Sequence, residues 1–416
     1  MIDYKQAKKV LRKSKILIKE EFIKSINSLN RACSRDIYSN VNYPAGNNAA
    51  FDGVAIRSKE TSKLNKKNVK KFKLLKILAA GDNPKIKSLK KFHAVEIMTG
   101  AILPKTFDTI IPIEQVKYYK DEDKSKYFLL DKRINKNQYV RFLGSDYKKR
   151  DLIIKKGTII QPSHILAFKT LGIKKIQVKK KPNIIFFSTG NEISESKKIQ
   201  DWKVRNSNSY YIKSLSENFL FNFKDGGTLK DKDEKLFKKI IKKNFTSKVD
   251  MIITIGAVSA GKFDFVPRVV SKFKSSGFFK NVAIRPGKPI LFSKIKNKVI
   301  FGLPGNPISS AACFRFFVYP YLLNILNIKE EKSFKASLKK QFKKKKNFTR
   351  FLKGKLTSTK SGKMEIEILK GQESFRIKSF VKSNIWGVFN AGKTKFKKGE
   401  LIDCYLSEDP NLNIFA

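Results

Sequence analysis

Three loops in the middle of the sequence combine glycine with small polar side chains, each directly after a run of residues typical of a buried β-strand. They are residues 188–192 (STGNE), 256–264 (GAVSAGKFD) and 303–309 (LPGNPIS). Ligands of an open parallel sheet bind beyond the carboxyl ends of its strands, so we expect these loops to converge on one crevice. Glycine lets the backbone approach a ligand closely. The third loop runs into a predicted helix, whose first N–H groups and dipole favour an anion.

Cations and carboxylates accompany these loops. The segment 285–289 (RPGKP) holds two cations on a turn that its prolines stiffen, and it lies just before a strand that leads to the third loop. Acidic residues recur in the same kind of loop, at Asp52, Asp146, Glu192 and Asp264. Hard carboxylate oxygens beside phosphate-binding amides suit Mg²⁺. For each acid taken alone, a turn-capping role is an equally good interpretation.

Several familiar catalytic motifs are missing from the sequence. It contains no G-x-x-x-x-G-K-[ST], no G-x-G-x-x-G and no H-E-x-x-H, so neither a P-loop nor a typical dinucleotide fingerprint is present. The two histidines, His93 and His164, are expected to be structural or exposed, which leaves an imidazole-centred mechanism few candidates. Cys313 lies in a predicted apolar helix and is expected to belong to the core.

The elements that must position the three loops follow from the hydrophobic pattern of residues 181–325. Short apolar runs predict strands at Asn183–Phe187, Met251–Ile255 and Val299–Phe301. Between and after them, helical spacing predicts helices that begin at Ser207 and that span 231–244 and 309–323. Strands that alternate with helices predict a parallel sheet with helices on both faces.

The remaining segments show different patterns. Apolar residues at helical spacing predict a helix over residues 1 to about 40, and short apolar runs from about 50 to 140 predict a β-rich domain. Residues 141–180 read as a loop, a strand, a helix opened by Pro162 and another strand, and 330–416 as a small β-barrel or sandwich. The predicted fold class is therefore a multidomain α/β protein with a central three-layer module. The predicted domains are a mixed helical domain (1–45 with 141–180), an inserted β-rich domain (46–140), the α/β domain (181–325) and a C-terminal β domain (326–416).

The composition is strongly basic. The chain has 416 residues, with 90 Lys and Arg against 35 Asp and Glu, which gives a formal net charge of +55. A hydrophobic fraction of 41% is enough for real cores and excludes wholesale disorder. The basic residues are dispersed and interleaved with Ile, Asn and Phe, all of which have A/T-rich codons. Drift of the whole composition is therefore favoured over a dedicated nucleic-acid surface, which usually clusters on one face.

The sequence also indicates where the protein works. No apolar stretch approaches the roughly 18–20 residues that a membrane-spanning helix needs. The basic N-terminus lacks a continuous apolar region and a cleavage site, so it is typical of an amphipathic helix rather than a signal peptide. Three cysteines that lie far apart exclude a disulfide framework and a cysteine-based zinc site. We therefore expect a cytoplasmic protein without a membrane association.

Taken in order, the motifs resemble those of the molybdopterin molybdenumtransferases, the MoeA-type enzymes related to the E domain of gephyrin. The family patterns M-D-G-Y-A, I-M-T-G-A-x-L-P…D…E and G-E-D are similar to residues 51–55 (FDGVA), 98–104 (MTGAILP) with Asp108 and Glu114, and 144–146 (GSD). Its S-T-G-D-E and G-G-V-S-x-G-x-x-D are similar to residues 188–192 and 256–264. Its P-G-K-P and L-P-G-N-P-x-S occur unchanged at 286–289 and 303–309.

The resemblance implies a fold, an activity and an assembly. The α/β segment 181–325 would be the molybdopterin-binding module. The reaction would insert molybdate into adenylylated molybdopterin and release AMP, with Mg²⁺ as the metal. The chain would form a homodimer whose active site is shared between the subunits, with an anionic pterin as substrate and no specific nucleic-acid partner.

The resemblance also implies roles for individual residues. Those implied to be catalytic are Asp52, Asp146, Glu192, Asp264 and Lys288, and Glu192 and Asp264 would also bind the metal. Those implied to bind the cofactor precursor are Thr99, Gly100, Thr189, Gly190, Ser207, Asn208, Gly256, Ser259, Gly261, Arg285, Pro286, Gly287, Pro304, Gly305, Asn306, Pro307, Ser309 and Ser374.

The chain departs from the family pattern at three places. Asn206 stands where the family has the Asp of D-S-N, which is expected to lower the local negative charge. Ala257 replaces the second glycine of G-G-V-S. In the C-terminal segment the family's G-S-G is replaced by Glu373-Ser374-Phe375, so only Ser374 carries over.

Two other functions fit parts of the sequence. A molybdopterin adenylyltransferase-like enzyme uses the same module, but it is a single domain, and the motifs at 51–55, 98–104 and 144–146 lie outside that module. A basic scaffold or nucleic-acid-binding protein would fit the charge, whereas the acids retained in the loops favour catalysis.

Overall fold

The computed structural model describes residues 1–121, 125–218, 220–259, 261 and 264–407. The chain divides into two compact units. The larger unit comprises residues 1–35, 156–161 and 176–416, and the smaller unit comprises residues 36–155 and 162–175.

The smaller unit is β-rich, as the pattern of residues 50–140 predicts. Its main sheet has six strands, in the order Thr109–Pro112, Gly53–Ile56, His93–Ile97, Lys70–Leu78, Lys126–Leu130 and Tyr118–Lys120. Side chains alternate between two cores: Ala55 and Val95 pack on one face, and Val54 and Ala94 on the other. The unit also contains two short pairs, Ile37–Tyr38 with Leu152–Ile154 and Asn48–Ala49 with Val140–Arg141, and the helix Pro162–Thr170.

The N-terminal segment of the larger unit contains a shorter helix than its apolar spacing predicts. The helix Tyr4–Lys13 begins at a capping box formed by Asp3 and Gln6 and ends at Ser14. The chain then forms the strand Glu20–Lys24, which pairs with Lys175–Lys179, and a 3₁₀ turn, Ser25–Asn27. The prediction of a helix to residue 40 is wrong because Leu17, Phe22 and Ile26 do not form a buried helical face: they are 75%, 62% and 56% exposed.

A six-stranded mixed sheet forms the centre of the larger unit. In order across the sheet, its strands are Asn222–Leu229, Asn183–Thr189, Met251–Ile255, Lys298–Leu303, Leu291–Ile295 and Gly277–Lys280. The first four strands are parallel, and three of them, Asn183–Thr189, Met251–Ile255 and Lys298–Leu303, are the predicted ones; Asn222–Leu229 was not predicted. The strand Leu291–Ile295 runs antiparallel to both of its neighbours, Lys298–Leu303 and Gly277–Lys280. The antiparallel strands follow from the two-residue turn between Leu291–Ile295 and Lys298–Leu303, which is too short for a parallel crossover.

Helices cover both faces of this sheet and confirm the three-layer arrangement. Along the strand Met251–Ile255, the alternate residues Met251 and Ile253 pack in one core, and Ile252 packs in the other. The first core includes Ile212 of one helix and the second includes Phe237 of another. The helices are Ser207–Asn218, Glu234–Asn244, Phe265–Val270 and Pro307–Cys313, the last of which continues through a π-helical turn, Phe314–Val318, into Tyr319–Ile325.

The C-terminal part of the larger unit is a closed five-stranded β-barrel. Its strands are Phe334–Leu338, Thr349–Ser358, Met364–Ile368, Ile385–Phe389 and Leu401–Leu406, and the barrel closes because Thr349–Ser358 pairs with both Met364–Ile368 and Ile385–Phe389. The short strand Ile284–Arg285 adds to Thr349–Ser358 in parallel. An antiparallel pair, Phe342–Lys343 with Lys395–Phe396, and the helix Ile377–Val381 complete this part.

All three cysteines, Cys33, Cys313 and Cys404, are buried thiols. Burial raises the pKa of the Cys313 thiol well above its usual range. Burial, with Asp403 nearby, raises the pKa of the Cys404 thiol to about 12. Within the described part of the chain, the helices fall short of the length and apolar character that crossing a membrane requires.

Candidate functional site

A cavity of about 870 Å³ lies in the larger unit, where three parallel strands of the central sheet end. It lies beyond the carboxyl ends of Asn183–Thr189, Met251–Ile255 and Lys298–Leu303, as the loop sequences predict. Many of the residues selected from the sequence line this cavity: Thr189, Glu192, Ser207, Asn208, Gly256, Ser259, Asp264, Pro304, Gly305, Asn306 and Pro307.

Backbone contacts hold the three loops together. The Gly256 N–H donates to the Leu303 carbonyl, with an N···O distance of 2.9 Å, and the Thr189 hydroxyl donates to the Ile255 carbonyl at 2.9 Å. Gly256 has φ of +90°, and a Cβ there would lie 2.6 Å from Thr189 Oγ1. Glycine is therefore required at position 256 by both its backbone angle and the close approach of the first loop.

The third loop leads into a helix, but part of the helix N-terminus is already occupied. Asn306 precedes the helix Pro307–Cys313 and does not cap it; its Nδ2 donates instead to Ser374 Oγ at 2.9 Å. The Ile308 N–H donates to the Ser374 carbonyl at 3.1 Å. The expectation that this helix start offers unbonded N–H groups to an anion is therefore wrong for Ile308. Ser374, for which the resemblance implies a cofactor-binding role, accepts hydrogen bonds from these two protein groups in the structure.

The loop before the helix Ser207–Asn218 forms a buried polar network. Asn206, which is 7% exposed, accepts from the Ser188 hydroxyl at 2.9 Å and from the Ser209 N–H at 3.4 Å. Its Nδ2 donates to Glu195 Oε1 at 2.7 Å. The sequence predicts a lower negative charge here than the family's aspartate would give, and the structure adds that the carboxylate of Glu195 lies directly against the Asn206 amide. Asn208 Nδ2 ties the same segment to the third loop by donating to the Gly305 carbonyl at 2.8 Å.

Glu192 and Asp264 are the two predicted metal ligands, and both line the cavity. Asp264 Oδ2 also accepts the Gly261 N–H at 2.7 Å, so this acid shapes its own turn while it faces the cavity. Within the described residues, no group of three or more His, Cys, Asp or Glu side chains lies close enough to hold a metal ion without other ligands. Ala260, Lys262 and Phe263 of this loop lie outside the described residues.

The segment 285–289 meets the cavity only at its end. Pro289 lines the cavity, whereas the described residues of its wall include neither Arg285 nor Lys288, and both cations are exposed. The Arg285 guanidinium lies over the Phe348 ring, 4.7 Å from its centroid. Gly287 has φ of +103°, and a Cβ there would lie 2.4 Å from Cys313 Sγ. The absence of a side chain at Gly287 therefore allows this turn to pack closely against Cys313 and the buried Ser309.

The smaller unit carries the other predicted residues. Asp52 accepts both the Thr99 N–H at 2.6 Å and the Thr99 hydroxyl at 2.7 Å, and these bonds hold the pKa of Asp52 below its usual value. Gly100 follows with φ of +84° and donates its N–H to the Ala49 carbonyl. The exposed Asp146 lies in another turn, where its N–H donates to the Tyr43 carbonyl at 3.1 Å. The structure thus brings Asp52 and Thr99 into direct contact, and Asp146 lies in a turn of the same unit.

Several cavity residues were missed by sequence reasoning. Phe375 and Ile377 come from the segment between barrel strands and line the cavity although they are 61% and 50% exposed. Val204 and Arg205 lie on a short strand that pairs with Ile193–Ser194. Phe375 could have been found from the sequence because it stands beside Ser374 in the altered G-S-G motif. The short strand offered no such signal because two residues are too few for a periodic pattern.

Comparisons with known proteins give this site a context. Three family profiles match in order along the chain: the MoeA N-terminal region (domain I and II) at residues 2–172, a probable molybdopterin binding domain at 185–324, and the MoeA C-terminal region (domain IV) at 335–407. The molybdopterin molybdenumtransferase of Staphylococcus aureus strain COL is 31% identical over 386 residues, which are 92% of this chain and 90% of that protein. This chain belongs to the molybdopterin molybdenumtransferase family.

Further relatives of the MoeA family agree with this result. The molybdopterin molybdenumtransferase of Staphylococcus epidermidis strain RP62A is 29% identical over 411 residues, 98% of this chain and 96% of that protein. The crystal structure of a molybdopterin biosynthesis MoeA protein from Pyrococcus horikosii covers 98% of this chain and is itself fully covered, with a TM-score of 0.81 at 26% identity. The multidomain α/β fold predicted from the sequence is thereby confirmed. The profile for the molybdopterin binding domain spans all three cavity loops.

Proposed function

We propose that this molybdopterin molybdenumtransferase inserts molybdate into adenylylated molybdopterin and releases AMP, as a step of molybdenum cofactor biosynthesis. The observation that carries the proposal is the cavity of about 870 Å³, which three Gly-containing loops of the molybdopterin binding segment surround. Pockets of about 300–1,000 Å³ hold ligands of drug-like size, so the volume suits a pterin joined to a nucleotide.

The cavity wall offers groups that suit the anionic parts of this substrate. Ser207 and Asn208 stand at the start of the 12-residue helix Ser207–Asn218, where N–H groups and the helix dipole favour phosphate. Arg205 adds a cation on the same wall. Gly256 and Gly305 bring the backbone to the cavity without side chains in between. In this proposal Lys288 and Arg285 attract the molybdate oxyanion from outside the wall, through charge rather than direct contact.

The acids of the cavity fit a bound Mg²⁺. This ion commonly takes one or two protein carboxylates and completes its coordination with water and substrate phosphate oxygens. Glu192 and Asp264 would therefore be enough as protein ligands. A bound Mg²⁺ would neutralise charge on the phosphate groups as the adenylate leaves. Asp264 would also keep the second loop in place through its bond to the Gly261 N–H.

The assembly belongs to the same proposal. We propose a homodimer in which Asp52, Thr99, Gly100 and Asp146 of one subunit complete the cavity of the other, in the cytoplasm and without a specific nucleic-acid partner. Hydrogen bonds from Thr99 keep Asp52 in its charged form, which suits a role near a metal or water. We also propose the four-domain division at 1–45 with 141–180, 46–140, 181–325 and 326–416, in which the residues that complete the partner's cavity and the cavity itself belong to different domains.

The test is release of AMP from adenylylated molybdopterin in the presence of molybdate and Mg²⁺. We expect turnover by the wild-type protein and a loss of about 10²-fold or more in Asp264→Asn, comparable to the removal of an electrostatic group from an active site. Asn retains the oxygen that accepts the Gly261 N–H, so the turn should persist. A matched control is Asp233→Asn, because Asp233 Oδ2 accepts the Lys230 N–H at 2.7 Å in the same type of turn away from the cavity.

The outcomes separate the activity from the residue. Absence of AMP release by the wild-type protein would refute the proposed reaction. Equal turnover by Asp264→Asn and Asp233→Asn would remove Asp264 from the mechanism and leave the reaction standing.

A further inference from the structure

Lys353 is a buried lysine in the C-terminal barrel that the proposed chemistry does not use. It lies in the strand Thr349–Ser358 and is 1% exposed. Its ammonium group donates to three backbone carbonyls: Gly371 at 2.8 Å, Arg376 at 3.0 Å and Glu373 at 3.4 Å. All three acceptors belong to one segment, residues 371–376, which we call the clamp loop. A buried cation with this set of contacts fastens the loop to the barrel wall.

Two neutral side chains share this fastening. Gln372 bonds both ways with the Lys353 backbone: its Oε1 accepts the N–H at 3.0 Å, and its Nε2 donates to the carbonyl at 2.9 Å. The hydroxyl of the buried Ser379 donates to the Gly371 carbonyl at 2.6 Å and to the Arg376 carbonyl at 3.1 Å. Both ends of the clamp loop are thus fixed by side chains that lie outside the cavity.

The clamp loop carries the barrel's contribution to the cavity. Ser374 at its centre accepts from Asn306 Nδ2 and from the Ile308 N–H, at the start of the helix after the third loop. The next residue, Phe375, lines the cavity. A shift of the clamp loop would therefore move an aromatic wall of the cavity and release the helix start together.

We infer that Lys353 is a positioning residue for molybdenum transfer: its ammonium group fixes the clamp loop, so that Ser374 holds Asn306 and Phe375 forms part of the cavity wall. This inference rests on the proposed function. The ammonium form suits the task because it has three N–H donors for three carbonyls. A neutral amine has two donors and a lone pair, which would face a carbonyl oxygen and repel it.

The charge of Lys353 depends on its surroundings. Burial lowers the pKa of Lys353 to about 8, and the nearby Glu373 acts in the opposite direction. Glu373 is itself paired with Arg376 at 3.6 Å, and Trp386 lies opposite Lys353 on the adjacent strand. Because the folded pKa is below the usual 10.5, the unfolded chain holds this proton more tightly, and this group's contribution to stability rises from about pH 8 to 10.5. Over the same pH range the clamp loop loses one N–H donor of Lys353, so the loop should become less ordered while the contribution of this group to global stability rises.

The test compares Lys353→Met with a milder variant and a matched control. Ser379→Ala removes the hydroxyl that donates to the Gly371 and Arg376 carbonyls, with little change in volume, so it keeps the test valid if Lys353→Met does not fold. Lys298→Met is the control, because Lys298 Nζ also donates to backbone carbonyls, those of Ser247 and Val249, at the end of the central sheet away from the cavity. Amide hydrogen exchange is measured for the clamp loop and for the segment that contains Ile308, and KM and kcat are measured for AMP release.

We expect Lys353→Met to speed exchange in both segments and to raise KM about tenfold, the equivalent of one charge-assisted hydrogen bond, with a smaller change in kcat. Ser379→Ala should act in the same direction to a smaller extent, and Lys298→Met should leave both segments unchanged. In the wild-type protein, KM should rise above about pH 8 without a fall in melting temperature from this group. Unchanged exchange at the clamp loop in Lys353→Met and Ser379→Ala would overturn the inference whatever the activity, whereas a wild-type protein that releases no AMP would refute the proposed function alone.

Discussion

Replacement of Asn206 by the family's aspartate should destabilise this protein, because the chain has placed an acid beside that position. Asn206 Nδ2 lies 2.7 Å from Glu195 Oε1, and Asn206→Asp would put a carboxylate oxygen where the amide nitrogen stands. The contacts from Ser188 and the Ser209 N–H would survive, since both donate to Asn206 Oδ1. The substitution therefore changes one contact and leaves the others in place.

The size of the effect follows from that contact. Two charges about 4 Å apart repel with about 4 kcal/mol at an effective dielectric constant of 20. Glu195 is exposed and can turn into solvent, which limits the loss to one charge-assisted hydrogen bond, about 1.5–3 kcal/mol. We therefore expect Asn206→Asp to lower the free energy of unfolding by about 2 kcal/mol near neutral pH.

A double-mutant cycle measured by urea unfolding tests this reasoning. Glu195→Gln removes the repelling charge, so the double variant should recover most of the stability that Asn206→Asp loses. The same four proteins, titrated with Mg²⁺ in the AMP assay, report whether the carboxylate at position 195 replaces the one that the family has at 206. Stability of Asn206→Asp equal to wild type at neutral pH, or additive losses in the cycle, would refute the contact between these side chains.

Three further predictions concern other parts of the molecule. Gly287→Ala should lower the free energy of unfolding by about 2–4 kcal/mol, because a Cβ 2.4 Å from Cys313 Sγ would overpack the core and the backbone angle of Gly287 would strain any other residue. Thermal unfolding should show that Cys313→Ala restores part of the loss, and a Gly287→Ala protein as stable as wild type would contradict this packing. NMR titration of Asp52 should give a midpoint below 3.8, and Thr99→Val should raise it, whereas an unmoved midpoint would show that the Thr99 hydroxyl is not the cause. The contribution of the Asp52–Thr99 hydrogen bonds to stability is then present above pH 3.8 and is lost as pH falls through the lowered pKa of Asp52. Binding of duplex DNA should fall steeply with salt and show no sequence preference, because the +55 charge is dispersed; a sequence-selective complex at physiological salt would contradict this.

The sequence predicted the centre of the site well because its signals are local. A buried strand followed by a glycine turn is visible within about ten residues, and the strand Met251–Ile255 was predicted with the observed bounds. The convergence of the three loops then follows from parallel strands alone. The contact between Glu195 and Asn206 could not be predicted in this way, because it depends on how a loop folds back over eleven residues.

Contacts between distant segments account for the remaining differences. Leu17 and Phe22 lie at helical spacing, yet their segment leaves the helix at Ser14 and pairs as a strand with residues about 155 positions later, a partner that local periodicity does not encode. Phe375 was visible as a departure from a motif, but its place on the cavity wall depends on the bonds that fasten the clamp loop to Lys353. Such positions are set by tertiary packing, which a single sequence reveals only weakly.

The burial of every cysteine makes the wild-type chain a ready background for site-specific labelling. Thiol reagents react with exposed thiolates. At neutral pH, Cys313 and Cys404 remain protonated because their pKa values are raised, and Cys33 is buried, so none of the three reacts readily. A single cysteine introduced at an exposed position, such as Lys288→Cys, would then be the one reactive site for a fluorophore or spin label. Distances between two labelled copies would measure how the subunits of the proposed homodimer are arranged, without the need to replace any native cysteine.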